Sequence, residues 1–224
     1  MSIPNIIAID GPAASGKNTV GLLVAQRLGY RFVDSGAMYR ALARRALQLG
    51  LDFADEAGLE RLARDIHIEV TPVDDEHPHG GLMLDGEDVT PHLHRPEVDA
   101  TVSLVARIPG VRRIMVAQQR AIAAQGKIVM AGRDIGTVVL PDAGLKLYLD
   151  AGIAERARRR HAELSVGGES DGYDQVLAAL ENRDAIDTQR EDSPLRPAPG
   201  ARIIATDRLT AHQVAALVLQ PCQQ

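Results

Sequence analysis

Aromatic residues are nearly missing from this sequence: it has no tryptophan, two phenylalanines and four tyrosines among 224 residues. Leucine, isoleucine, valine and alanine must therefore fill any interior. Cysteine is down to one, Cys222 near the end of the sequence, so no internal disulfide can form. No apolar run approaches the roughly 20 residues of a membrane helix, and the first residues lack a signal-peptide layout. A reducing, cytoplasmic setting with no membrane partner is the expectation. An excess of basic charge is missing too, with 25 Lys and Arg against 30 Asp and Glu, a formal net charge of -5. That balance argues against nonspecific nucleic-acid binding as the main activity. No repeat of fixed period occurs. What remains, 45% hydrophobic and 25% charged residues, is the composition of a soluble globular protein. The length suits one substantial core, or a core with a small insert.

The most informative stretch runs from Ile6 to Thr19. The apolar run Ile6-Ile7-Ala8-Ile9 ends at Asp10, and Gly11-Pro12-Ala13-Ala14-Ser15-Gly16-Lys17-Asn18-Thr19 follows. Val20, Leu23, Val24 and Leu28 then recur at helical spacing. Strand, glycine-bounded loop and helix in that order predict a phosphate-binding P-loop. Gly11 and Gly16 let the backbone curl so that successive N–H groups face phosphate oxygens. The helix beginning near Lys17 adds its positive dipole end, and Lys17 can reach the outer phosphates as a mobile charge. The competing reading is an ordinary glycine-rich strand-to-helix turn, which the loop lysine and the second glycine at P-loop spacing make the lesser one.

Further along, Tyr30 to Val33 reads as a second strand ending at Asp34-Ser35-Gly36, followed by a helix that stops at Gly50. Asp55 to Asp65 is helical. Residues 66–95 change character: Ile66-His67-Ile68-Glu69-Val70 alternates, and Leu82-Met83-Leu84 runs into the hairpin signal Asp85-Gly86. This stretch is expected to be a small antiparallel insert. Helical pattern resumes near Glu97, breaks at Pro109-Gly110 and continues to Gln125. Lys127 to Ala131 and Leu145 to Leu149 read as core strands, and Ile153 to Leu164 and Tyr173 to Thr188 as helices. Val166-Gly167-Gly168 is expected to be a mobile link between those two. Arg202 to Ala205 is a last strand, and Thr210 an N-cap for a final helix. Strands alternating with helices imply a parallel sheet covered on both faces. The phosphate loop, Asp34-Ser35 and Arg133-Asp134 each follow the carboxyl end of a core strand, where open α/β sheets collect ligands.

Arginines cluster in two rows. Arg156, Arg159 and Arg160 share a helix face, and Arg183, Asp187 and Arg190 repeat the geometry at i, i+4 and i+7. Such rows can grip phosphate oxygens through forked guanidinium contacts, or they can be a solvated face paired with Glu155 and Glu181. Beside a phosphate loop, a closing lid that excludes water is the functional alternative. His77 and His79, like His92 and His94, have a spacing open to metal binding, but no cysteine accompanies them and a solvated loop is favoured. His67, His161 and His212 read as structural.

Three strings together resemble the bacterial cytidylate kinase (CMP kinase) family, one of the nucleoside monophosphate kinases. They are Asp10-Gly11-Pro12 with Gly16-Lys17-Asn18-Thr19, then Asp34-Ser35-Gly36-Ala37-Met38-Tyr39-Arg40, and Gly132-Arg133-Asp134 through Ala143. The likeness extends to Asp85-Gly86-Glu87-Asp88-Val89 and to the Arg183/Asp187/Arg190 spacing, nearly end to end. It implies an α/β P-loop nucleoside monophosphate kinase fold with a five-stranded parallel sheet, helices on both faces, a small antiparallel β insert and a helical lid. The implied division is a core of about residues 1–34, 108–152 and 191–224, an NMP-binding region of about 35–107, and a lid of about 153–190. The implied reaction is transfer of phosphate from ATP to CMP or dCMP, with Mg²⁺, by a monomer with no nucleic-acid partner.

By the same resemblance, ATP would meet Gly11 through Thr19, together with Arg156 and Arg160 from the lid. Arg40, Arg133 and Arg190 would hold the CMP phosphate, Ser35, Arg183 and Asp187 would lie near its sugar, and Ser103, Arg112 and Asp134 would read cytosine. Lys17, Arg133, Arg183 and Arg190 would be the catalytic charges. The base assignment suits the chemistry, because cytosine offers an amino donor beside a ring nitrogen and carbonyl that accept. This sequence departs from the family at two places. Asn18, after the loop lysine, has no hydroxyl for the ion, and Ala131 stands where relatives frequently carry an acid. Other readings are a different P-loop kinase, of AMP or shikimate type, or a slow nucleotide-binding regulator. A GTPase-like switch would need a guanine-reading Asn-Lys-x-Asp string, which is absent.

Overall fold

β-Branched and aliphatic side chains dominate Ile6–Asp10 (β1) and Ile128–Gly132 (β6), strands buried on both faces, and Leu145–Asp150 (β7) buries Leu147 and Leu149. The computed structural model describes residues 3–73, 80–166 and 172–220. With Arg31–Asp34 (β2) and Arg202–Ala205 (β8) they form a five-stranded sheet in the order β2-β6-β1-β7-β8. β1 pairs parallel with β7, Ile7 opposite Leu145, and β7 pairs parallel with β8, Leu147 opposite Arg202. The reading of alternating strands and helices around a parallel sheet is borne out.

The chain divides into two compact units. The first comprises residues 1–24 and 131–224. Its core is built on Ile7, Ile9, Leu147 and Leu149, each almost fully buried, with Ile135, Val214 and Val218 packed in. Lys17–Leu28 (α1) begins at the loop lysine, and Ala211–Leu219 (α8) is capped by Thr210, whose hydroxyl accepts from Gln213 N at 3.2 Å. Ile153–Val166 (α6) and Tyr173–Gln189 (α7) pack on each other through a separate apolar cluster of Ala157, Val176 and Leu180. Ala13 of the phosphate loop belongs to that cluster. The expected link at residues 167 and 168 lies outside the described residues.

The second unit comprises residues 25–130. Ser35–Gln48 (α2), Glu56–Asp65 (α3), Pro96–Ala106 (α4) and Pro109–Ala123 (α5) bury Met38, Leu42, Leu59, Ile108 and Met115. Ile68–Val70 (β3), Leu82–Leu84 (β4) and Glu87–Asp88 (β5) form a three-stranded antiparallel sheet. This is the β insert expected from alternation. Its hairpin turns at Asp85 and Gly86, with φ of 52° and 83°, the paired left-handed conformation of a type I′ turn. Asp85 stabilises its own strained position: its carboxylate accepts from His67 N at 2.8 Å and pairs with Arg45 at 2.8 Å. The His67 N–H bond leads in holding the Asp85 carboxyl below the usual carboxylate range.

One strand boundary differs from the sequence reading, and two short turns were not part of it. β6 starts at Ile128 rather than Lys127, because Gly126 and Lys127 both turn left-handed, with φ of 72° and 47°. Residues 90–92, within the stretch read as the insert, form a 3-10 turn begun by Thr90-Pro91. Ile135–Val139 form a single π turn, closed by Leu140 N to Ile135 O at 2.6 Å.

Candidate active site

In the first unit, the sharp turn after β1 demands glycine. A Cβ on Gly11 (φ 156°) would collide with the Leu149 carbonyl oxygen, and Gly16 sits at φ 90°. Ala14 is also left-handed, at φ 56°, so the loop stores some backbone strain. Lys17 is 7% exposed and folds back over the loop, donating from Nζ to Pro12 O at 2.9 Å. Ser15 is fully buried and its hydroxyl has no hydrogen-bond partner. Asn18 and Thr19 are exposed on the first turn of α1.

The Gly132-Arg133-Asp134 turn after β6 lies against this loop. Arg133 donates from Nη1 to Gly11 O at 3.2 Å and from Nε to Asp187 Oδ2 at 2.7 Å. Arg190 approaches the other oxygen of Asp187 at 3.6 Å. Burial alone would push the Asp187 carboxyl up. Arg133, with Arg190 and Arg183 behind it, reverses that and holds it below the ordinary carboxylate value. Asp134 is 6% exposed. Asp10, the last residue of β1, is 2% exposed and accepts from Ile135 N and Gly136 N, each at 2.7 Å.

The arginine row on α6 splits between two fates. Arg156 is buried and fully engaged: Nε donates to Ala151 O at 2.9 Å, Nη1 to Ala13 O at 3.3 Å, and Nη2 to Asp184 Oδ2 at 2.6 Å. Arg159 donates to the hydroxyl of Thr206 at 3.1 Å and to its carbonyl at 2.7 Å. Thr206 sits within 3.1 Å of Ser15 O, which ties the end of β8 to the loop. Arg158 is exposed and pairs with Glu155, and Arg160, partly exposed, pairs with Glu163. The Arg158 bond leads in lowering the Glu155 carboxyl to about 2. Arg183 is half-buried on α7.

In the second unit, Asp34 caps α2 by accepting from Gly36 N at 2.9 Å, which places buried Ser35 at the helix start. Arg40, 8% exposed, pairs with Asp99 of α4 at 3.0 Å. Arg112 lies in the first turn of α5, its guanidinium 5.9 Å from the centre of the Tyr39 ring. Ser103 is exposed on α4.

The structure thus brings Gly11 through Thr19, Arg133, Asp187 and Arg190 around one loop, and Arg40 and Arg112 onto packed helices of their own unit. Sequence reasoning missed Asp10, Asp99, Asp184 and Thr206. Asp10 carried a signal, since a lone carboxylate ending a buried apolar strand must be satisfied. The other three acquire their roles only from tertiary contacts. Among the described residues, no group of three His, Cys, Asp or Glu could hold a metal ion. His77 and His79 lie outside them.

Comparison with known proteins gives one answer. The family model described as Cytidylate kinase matches residues 7–224. A cytidylate kinase of Chloroflexus aggregans is 49% identical over 220 residues, covering 98% of this chain and 94% of that protein. Those of Geobacillus thermodenitrificans and Pelotomaculum thermopropionicum are 49% and 46% identical, over 96% and 97% of this chain and 94% and 95% of theirs. A shikimate kinase structure from Bacteroides thetaiotaomicron overlays with a TM-score of 0.48 at 11% identity, too distant to bear on the assignment. On the family match and the identity of these full-length relatives, the chain belongs to the cytidylate kinase family.

Proposed function

We propose that the protein transfers the terminal phosphate of ATP to CMP, and to dCMP, by direct in-line displacement. The observation that carries this reading is the Arg133 guanidinium at 3.2 Å from Gly11 O, which sets an acceptor-side cation beside the donor-side phosphate loop. No general base is needed, because the attacking group is a phosphate oxyanion. Catalysis is alignment and neutralisation of charge by Lys17, Arg133, Arg183 and Arg190. Arg40, Arg133 and Arg190 are assigned to the CMP phosphate, Ser35, Arg183 and Asp187 to its sugar, and Ser103, Arg112 and Asp134 to cytosine. Asp99 and Asp187 then act as resident counter-ions that hold Arg40 and Arg133 in place before a phosphate arrives. The residues 153–190 are assigned as the lid, with Arg156 and Arg160 on its ATP side.

The donor set fits a magnesium ion that arrives with the nucleotide. Both carboxylate oxygens of Asp10 are already engaged by backbone N–H groups, and the ion is not assigned to it. Ala131 supplies no ligand either. The amide oxygen of Asn18 and the hydroxyl of Thr19, exposed at the start of α1, are the oxygens that would face an ion held chiefly by phosphates and water. Bound there, Mg²⁺ supplies charge neutralisation on the transferring phosphates.

ADP production measured with CMP, dCMP, UMP, AMP, shikimate and no acceptor tests the reading. CMP and dCMP should exceed the other acceptors by at least about tenfold in kcat/KM. A preference for AMP or shikimate, or hydrolysis independent of acceptor, would refute it.

A further inference from the structure

Asp10 is a buried carboxylate that no role described so far uses. It ends β1, immediately before Gly11, and its side chain reaches sideways to the segment after β6 rather than forward to the loop. There it accepts two 2.7 Å bonds from consecutive amides, Ile135 N and Gly136 N. Those amides open the π turn 135–139, and they directly follow Arg133 and Asp134. A turn of this type leaves its first N–H groups without partners in the backbone ladder, and a carboxylate at 2% exposure satisfies both. The fit is close on the far side as well. A Cβ on Gly136 would stand 3.3 Å from Asp10 Oδ2, 3.3 Å from Lys146 Cδ and 3.1 Å from Ala198 Cβ. A side chain at 136 would crowd the carboxylate unless these neighbours shifted by a few tenths of an ångström.

We propose that Asp10 is a positioning residue of the acceptor site: its carboxylate clamps the turn that carries Arg133 and Asp134 to the strand that carries the phosphate loop. The clamp sets the distance between donor and acceptor machinery along one stretch of covalent chain, Asp10-Gly11. Arg133 completes it from the other direction with its bond to Gly11 O. Phosphoryl transfer is sensitive to such spacing, since a displacement of about 1 Å lowers rate by about a hundredfold. This inference rests on the assignment of Arg133 and Asp134 to CMP.

Asp10→Asn keeps size and one acceptor but aims an amide N–H at a backbone N–H. Steady-state kinetics of Asp10→Asn should show the KM for CMP raised at least about tenfold, with the KM for ATP within about twofold of the parent. Amide hydrogen exchange at residues 135–136 should speed up in the same variant. Arg133→Met is the control arm. If Asp10→Asn leaves the KM for CMP unchanged while Arg133→Met raises it, the clamp is refuted and the acceptor assignment stands. If Arg133→Met also leaves it unchanged, the acceptor assignment itself has failed. Equal rises in both KM values for Asp10→Asn would refute the clamp, as they would mark a general disturbance of the loop. Asp10→Ser, which has no amide N–H to clash, is measured alongside. Failure of both variants to fold would overturn the proposal by making Asp10 a determinant of the core.

Discussion

Asp184 Oδ2 lies 2.6 Å from Arg156 Nη2, and the same guanidinium also donates to Ala13 O in the phosphate loop. Arg156 is therefore a strut between α6, α7 and the loop, with each of its three guanidinium nitrogens donating. Its pair partner is mostly shielded, with 7% and 23% of the two side chains exposed. Removing one member of such a pair strands the other charge. Arg156→Met should lower stability by about 3 kcal/mol. For a chain of this size that is a fall in Tm of roughly 6–12 °C, readable by calorimetry. The strut role is refuted by a variant that melts with the parent. Titrating ATP against the same variant reports separately on the proposed phosphate contact.

Lys17 donates from Nζ to Pro12 O at 2.9 Å, and its charge helps hold the buried Asp10 carboxyl down. Lys17→Met should reduce kcat by about a hundredfold or more while changing the Kd for CMP by less than about threefold. The comparison needs single-turnover rates and CMP titration by calorimetry. Equal losses in both would assign Lys17 to substrate binding instead of charge development in the transition state.

Much of this architecture was legible because its signals are local. The apolar run into Gly11, the Asp85-Gly86 turn and the Thr210 cap each name their own structure within a few residues, and each formed as expected. The arginine row at 156, 159 and 160 shows where locality ends. Helical spacing put these three on one face, yet burial is decided by what packs there, and Arg156 alone is covered by Asp184 and Ala13. The π turn 135–139 was equally hidden, because it depends on a carboxylate 125 residues earlier in the chain.

Thr206 offers a cleaner test of how the loop is held. Its hydroxyl lies 3.1 Å from both Ser15 O and Asp150 O and receives Arg159 Nη1, at 2% exposure. Thr206→Val is nearly isosteric but leaves the Arg159 donor and the Ser15 carbonyl without this link. The lost link is worth about 1 kcal/mol, or roughly fivefold in affinity. The KM for ATP should rise by that factor with the KM for CMP unchanged, and Thr206→Ser should restore it. A Val variant with the parent's ATP affinity would show that the loop holds its shape without Thr206.

Asp10 makes stability depend on pH in an unusual direction. Burial leads in raising its carboxyl from 3.8 to about 6, against the lowering effect of the Gly136 and Ile135 amides and of Lys17; Asp134 adds a smaller upward push. Tyr148, opposite Asp10 on β7, and Lys146 beside Gly136 are the other titratable groups nearby. A carboxyl whose folded value exceeds its unfolded one favours folding most when protonated. Its contribution is full below about 3.8 and is lost as pH rises through about 6. The shift corresponds to on the order of 3 kcal/mol, and Asp10→Asn removes the titration. The Tm of the parent relative to Asp10→Asn should therefore climb by several degrees between pH 8 and pH 5. The carboxyls of Asp187, Asp85 and Glu155, all held low, are common to both proteins and cancel. A difference in Tm that stays flat, or shrinks on acidification, would show that Asp10 is ionised as readily in the fold as in the open chain.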